Sequence, residues 1–170
     1  MAADTEIQVV QGDIVAQCDV DVIVNAWNRN ILPFWLLIPQ GVSRAIRKAA
    51  GAAPFRELAR YGAIPLGHAV LTESGKLPIK GIIHVAGINL LWMASENSVR
   101  LSTRNALALA HQRGFESIAM PIIGSGTGGV GKAIAMEIMR EEAIKSAFDG
   151  RVRIVEFRRS EKVPPNRRGG

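Results

Sequence analysis

Six short runs rich in valine and isoleucine, separated by segments of helical spacing, restrict this chain to an α/β layer protein. The runs are Ile7 to Gln11, Val22 to Asn25, Ala69 to Thr72, Gly81 to Val85, Ser117 to Met120 and Val152 to Phe157. Each has the length and branched-residue content of a strand. The spacing between them predicts four helices, Val42 to Ala50, Ala53 to Tyr61, about Ser98 to Arg113, and Lys132 to Phe148. Gly51 is placed to end the first, and Pro54 sits near the start of the second, where its missing N–H costs little. In the third, Val99, Thr103, Ala106, Leu107 and Ala110 fall on one face and form a single buried stripe, which Gly114 closes.

A length of 170 residues is that of one domain, expected to span 1–158, with a basic, disordered tail over 159–170. At 48% hydrophobic and 21% charged residues the chain can bury a core, which excludes a wholly disordered protein. Cys18 alone provides no internal disulfide and no multi-cysteine metal site, and no signal segment precedes Ile7, so a reducing cytoplasm is the expected compartment. The longest apolar stretch, Ile31 to Ile38, is broken by Pro33 and far shorter than the ~20 residues of a membrane span. The net charge is +6, and five of these positive charges in excess fall in the last twenty residues. That segment reads as a solubilising tail; nucleic-acid binding is the second reading, weakened by the lack of aromatic residues there beyond Phe157.

The densest local signal is Gly124-Ser125-Gly126-Thr127-Gly128-Gly129-Val130-Gly131-Lys132, between the fifth strand and the fourth helix. Five glycines in eight residues let the backbone turn sharply and aim several N–H groups at one point, beside the positive end of a helix. Such a loop cradles phosphate. A flexible turn without a ligand is the alternative. A P-loop is excluded because Ala133 stands where a hydroxyl should hold magnesium, and a dinucleotide-binding turn is disfavoured because only one strand follows.

The other parts of the site must lie earlier in the chain. Gln11-Gly12-Asp13-Ile14 follows the first strand, and the second runs into Asn25 and Asn28, whose uncharged amides suit either ribose hydroxyls or neighbouring backbone turns. These blocks, with Gly41-Val42-Ser43-Arg44-Ala45-Ile46, His84 followed by Ala86-Gly87, and the Pro121 to Gly129 loop, resemble the macrodomain family in order and spacing, as a divergent bacterial-type member. The resemblance covers about Ile7 to Phe157.

It implies a three-layer α/β/α sandwich on a mixed sheet of about six strands, with ADP-ribose as ligand, no required cofactor, no metal and a monomeric state. Carried over by position, Asp13 accepts the adenine amine with the Ile14 backbone beside it. Gly124, Ser125, Gly126, Thr127, Gly128 and Gly129 wrap the diphosphate. Asn25 and Asn28 address the distal ribose, Asn28 being the candidate catalytic residue, and Gly41, Val42 and Ser43 close the near wall. Phe157 either stacks on adenine or packs in the core. The chain departs from the hydrolytic branch of the family at two points: Ser43 follows Val42 where that branch has an aspartate linked to water activation, and Gly128 replaces an aromatic residue. A lone serine is a poor base at neutral pH. The apolar segment between Asn30 and Gln40 is either a satellite core or an exposed lip. His68, His84 and His111 are too scattered for a metal, and His84 is expected to be buried with its ring satisfied locally. Three functions follow: an ADP-ribose conjugate hydrolase, a non-catalytic reader of ADP-ribosylated protein, or an RNA or phosphorylated-nucleotide module.

Overall fold

In the computed structural model, residues 5–29, 41–88, 93–126 and 129–157 are described. The strands are β1 (Glu6–Gly12), β2 (Val22–Trp27), β3 (Ala69–Thr72), β4 (Gly81–Ala86), β5 (Ser117–Pro121) and β6 (Arg151–Phe157). They form one sheet in the order β1-β6-β5-β2-β4-β3, parallel throughout except for β3, which runs antiparallel to β4 at the edge. The helices are α1 (Gly41–Ala50), α2 (Ala53–Arg60), α3 (Glu96–Gln112) and α4 (Lys132–Lys145).

Parallel strands need crossover helices, and those helices cover both faces. Every residue of β4 and β5 is accordingly buried. Val22 and Val24 of β2 face a core built with Val99, Ala106 and Leu107 of α3 and Ile138 and Met139 of α4. Ile23 and Trp27 face the opposite core, with Ile46 of α1 and Phe55 and Leu58 of α2. Two cores on the two faces of one sheet make a three-layer α/β/α sandwich, as the sequence leads one to expect. The stripe from Val99 to Ala110 is buried over its whole length.

Most boundaries shift by one or two residues from the sequence expectation, and three of the shifts have a clear local cause. β2 continues to Trp27, because Ala26 and Trp27 still pair with Val85 and Ala86, which moves Asn25 from a strand end to a strand interior. α3 starts at Glu96, where Ser95 and Ser98 cap each other: the Ser95 hydroxyl accepts from the Ser98 N–H (3.1 Å), and the Ser98 hydroxyl from the Ser95 N–H (2.9 Å). α4 ends at Lys145 because Ser146 turns extended and donates its hydroxyl back to the Ala143 carbonyl, which directs Phe148 into the core. The tail over 159–170 and the apolar segment over 30–40 lie outside the described residues. Among the described residues no helix is long and apolar enough to cross a membrane.

Candidate functional site

Five parallel strands end on the same edge of the sheet. From β2 the chain leads to α1 on one face, whereas from the adjacent β5 it leads to α4 on the other. The crevice opened between two such diverging connections is where ligands bind in open α/β sheets. The candidate residues sit along it: Asn28 just beyond β2, Gly41 and Val42 at the start of α1, the glycine loop after β5, and Asp13 and Phe157 at the ends of β1 and β6.

Asp13 and Phe157 are brought together by register, since Gly12 pairs with Phe157 and Asp13 follows it. Asp13 caps a single 3-10 turn, Ile14–Ala16, its Oδ1 accepting from the Val15 N–H at 3.1 Å. A carboxylate has further lone pairs to offer, so the cap fixes the group without exhausting it. The Ile14 side chain is buried in the α1/α2 core, which leaves only its backbone for a ligand. Phe157 is 61% exposed, and of its two sequence-derived readings core packing is ruled out.

In the loop after β5 the glycines divide into two kinds. Gly124 has φ +74°, and a β-carbon there would press on Val99 and Ala94. At Gly129 a β-carbon would overlap the carbonyl of Gly124, so these two let the loop close on itself. Gly126 and Gly131 meet nothing within 4 Å and face open space. The Ser125 hydroxyl donates to the Ile122 carbonyl at 2.8 Å, which spends its proton inside the loop. Two backbone N–H groups are also used within the loop, that of Ser125 donating to the Ile122 carbonyl at 3.4 Å and that of Gly129 to the Gly126 carbonyl at 3.0 Å. Thr127 and Gly128 lie outside the described residues.

Two of the expected ligand contacts are corrected. Asn25 is fully buried, and both ends of its amide are used internally: Oδ1 accepts from the Ser43 hydroxyl at 2.6 Å, and Nδ2 donates to Nδ1 of His84 at 3.0 Å. Ser43 is 6% exposed and points at β2, with the Ala26 carbonyl a second acceptor at 3.1 Å. Neither side chain reaches the crevice. The proton of His84 then sits on Nε2 and is donated to Thr72 Oγ1 at 2.9 Å, and Thr72 donates to the Glu73 carbonyl at 3.1 Å. The chain Ser43–Asn25–His84–Thr72 thus ties α1 to β2, β4 and β3. It resembles a nucleophile–base arrangement only in composition. Both ring nitrogens are occupied, and the serine lies one residue removed from the imidazole, so the chain contains no available base. Asn28, just beyond the end of β2, is half-buried. Sequence spacing alone does not reveal this polar chain; the strand register that sets Asn25 beside His84 does.

Burial lowers the His84 pKa from 6.5 to about 3, so the ring is neutral in the folded protein. The unfolded chain binds a proton below pH 6.5 that the native state refuses until about pH 3, so this contribution to stability is full above pH 6.5 and declines as pH falls between those values. Denaturant titrations are expected to give about 2 kcal/mol less stability at pH 5 than at pH 7 from this group. Equal stability at the two pH values would show that the ring is protonated in the native state.

The Macro domain family model matches residues 24–139. The chain is 41% identical over 141 residues to an uncharacterised protein of Aquifex aeolicus, covering 82% of each. It is 37% identical over 153 residues to the O-acetyl-ADP-ribose deacetylase of Escherichia fergusonii, covering 85% of this chain and 80% of that one. A crystal structure of the Trypanosoma brucei macrodomain in complex with ADP-ribose superposes with a TM-score of 0.74 at 26% identity, over 88% of this chain and 63% of that one. With a family model spanning most of its length and relatives at this level of identity, the chain belongs to the macrodomain family.

Proposed function

We propose that this protein binds ADP-ribose, free or as a conjugate, in the crevice at the strand ends. The observation that carries the reading is the order of chemically distinct groups along one edge: a fixed carboxylate beside an open phenyl ring, then a glycine loop at a helix N-terminus, then an amide beside the start of α1. These match an adenine, a diphosphate and a ribose in sequence. An ionised aspartate accepts from the adenine amine, backbone N–H groups and the α4 dipole favour the diphosphate, and Asn28 orients the distal ribose. The complex of the Trypanosoma brucei protein with ADP-ribose and the deacetylase names of the bacterial relatives support the same ligand.

Ester hydrolysis in this crevice, as in O-acetyl-ADP-ribose, relies on the ligand for its base. A diphosphate oxygen held by the loop takes a proton from water as the water oxygen attacks the acetyl carbonyl carbon; the ester C–O bond then breaks, and the ribose oxygen takes that proton back from the diphosphate, leaving acetic acid and ADP-ribose. Ser43 and His84 take no part, since the chain between them is closed. Turnover assays on O-acetyl-ADP-ribose and on ADP-ribosylated protein test this. Ser43→Ala is expected to keep turnover within about threefold of wild type, whereas Asn28→Ala loses at least about tenfold. An inactive Ser43→Ala with intact ADP-ribose affinity would contradict the mechanism, and a wild type that binds but turns over neither substrate would make the protein a reader.

A further inference from the structure

We propose that the outer face of the α1/α2 layer is a docking surface for the phosphate backbone of single-stranded nucleic acid. The two helical layers differ in how they treat charge. In the α3/α4 layer most cations are neutralised: Arg100 bonds Glu141 (3.0 Å) and Glu142 (2.8 Å), Arg104 bonds Glu142 (2.9 Å), and Lys145 approaches Glu141 at 3.7 Å, while Arg113 and Arg140 enter no ion pair among the described residues. In the α1/α2 layer, Arg44 and Lys48 stand exposed four residues apart on α1, and Arg56 and Arg60 stand exposed four residues apart on α2. Lys76 joins the two pairs. Its N–H donates to the Ala50 carbonyl at 2.9 Å, and its Cε lies 3.8 Å from the β-carbon position of Gly51, at the junction of the helices.

Among the described residues none of these five cations enters an ion pair. The facing acids are Glu57 and Glu73. Glu57 is half-buried and accepts from the Glu73 N–H at 2.8 Å, so it is engaged with the backbone. With Arg47, which lies over the Phe55 ring at 5.9 Å, residues 41–76 carry six cations against two acids. Like charges four apart on a helix repel and lower its stability, so the pattern works against folding and calls for an anionic partner.

Two features favour nucleic acid over an acidic protein. Four residues of helix advance about 6 Å, comparable to two phosphate steps of about 3.4 Å each along the axis of one strand, so each helix presents a pair of cations at that spacing. Tyr61, at the end of α2 beside Arg60, is 49% exposed, and its hydroxyl donates to the Leu71 carbonyl at 2.9 Å, which holds the ring in place. A fixed, half-open ring next to a row of cations is the combination that binds unpaired bases and their backbone together. Arg44 follows Ser43 at the crevice wall and is therefore left unchanged in the variant below; the other four cations lie outside the residues assigned to the ADP-ribose crevice.

The test is fluorescence anisotropy with a labelled 15-nucleotide oligouridine across a series of potassium chloride concentrations, using the full chain so that the basic C-terminal residues contribute equally throughout. The quadruple variant Lys48→Gln, Arg56→Gln, Arg60→Gln, Lys76→Gln is expected to bind at least about twentyfold more weakly, and its log–log salt slope to be shallower by about 3. Tyr61→Ala is expected to lose about fivefold or more with the slope unchanged. Calorimetry with ADP-ribose, unchanged in these variants, verifies that they are folded. Wild-type affinity and slope in the quadruple variant would overturn the proposal, assigning any binding to the C-terminal residues. So would displacement of the oligonucleotide by polyglutamate of equal charge with no effect of Tyr61→Ala, which would identify an acidic protein as the occupant.

Discussion

Gly126→Val is expected to weaken ADP-ribose binding at least about a hundredfold, roughly 2.7 kcal/mol, while leaving the melting temperature within about 2 °C of wild type. The two effects separate because of where the residue stands. A β-carbon at Gly126 meets nothing within 4 Å, and its φ lies outside the left-handed region, so valine fits the backbone without strain. Its methyl groups then occupy the open side of the loop, where phosphate oxygens must approach the backbone N–H groups. Gly124→Ala is the contrasting substitution, because φ +74° and the contact with Val99 make it a folding defect first. Calorimetry and thermal melts on the two proteins distinguish a loss of ligand from a loss of structure. Wild-type affinity in Gly126→Val would remove the loop from the binding account.

The second large effect is on stability. Asn25→Leu keeps the branching of the side chain but removes its amide, leaving Nδ1 of His84 without a donor and the Ser43 hydroxyl with only the Ala26 carbonyl to donate to. A buried polar group left unpaired costs about 1–3 kcal/mol, so the variant is expected to lose about that much in denaturant unfolding, a sizeable part of the 5–15 kcal/mol typical of a domain. A loss below about 1 kcal/mol would show that the chain is not paired as described. The residue thus holds the start of α1 against β2, and it affects the crevice by positioning that wall.

The history of Asn25 shows where sequence reasoning reaches its limit. Strand and helix existence follow from local composition and periodicity, and the stripe from Val99 to Ala110 was legible because a helix sets its own spacing. Register is nonlocal. Asn25 and Asn28 look alike in sequence, as two amides near the end of one run, and only the pairing of β2 with both β4 and β5 buries the first and leaves the second at the crevice. From sequence, the argument against Ser43 as a base is only its unassisted hydroxyl; the fold adds that this hydroxyl is buried and donates to Asn25. The glycine loop was legible as a unit, yet its glycines appeared equivalent until the backbone separated Gly124 and Gly129, which close the loop, from Gly126 and Gly131, which leave it open. Asp13 and Phe157 are 144 residues apart and meet only through the pairing of β1 with β6. The cations of α1 and α2 are hidden in sequence for a related reason: a nearly neutral count outside the tail averages a layer whose cations are mostly paired with one whose exposed cations enter no ion pair among the described residues.

The central claim is tested most directly by isothermal titration calorimetry of ADP-ribose against the full chain, with NAD titrated in parallel. The proposed binding mode predicts saturable binding of one ADP-ribose per chain and NAD binding at least about tenfold weaker, a difference of roughly 1.4 kcal/mol, because it assigns Asn28 and the start of α1 to a distal ribose that carries no nicotinamide. No binding of ADP-ribose, or NAD binding as tightly, would contradict it.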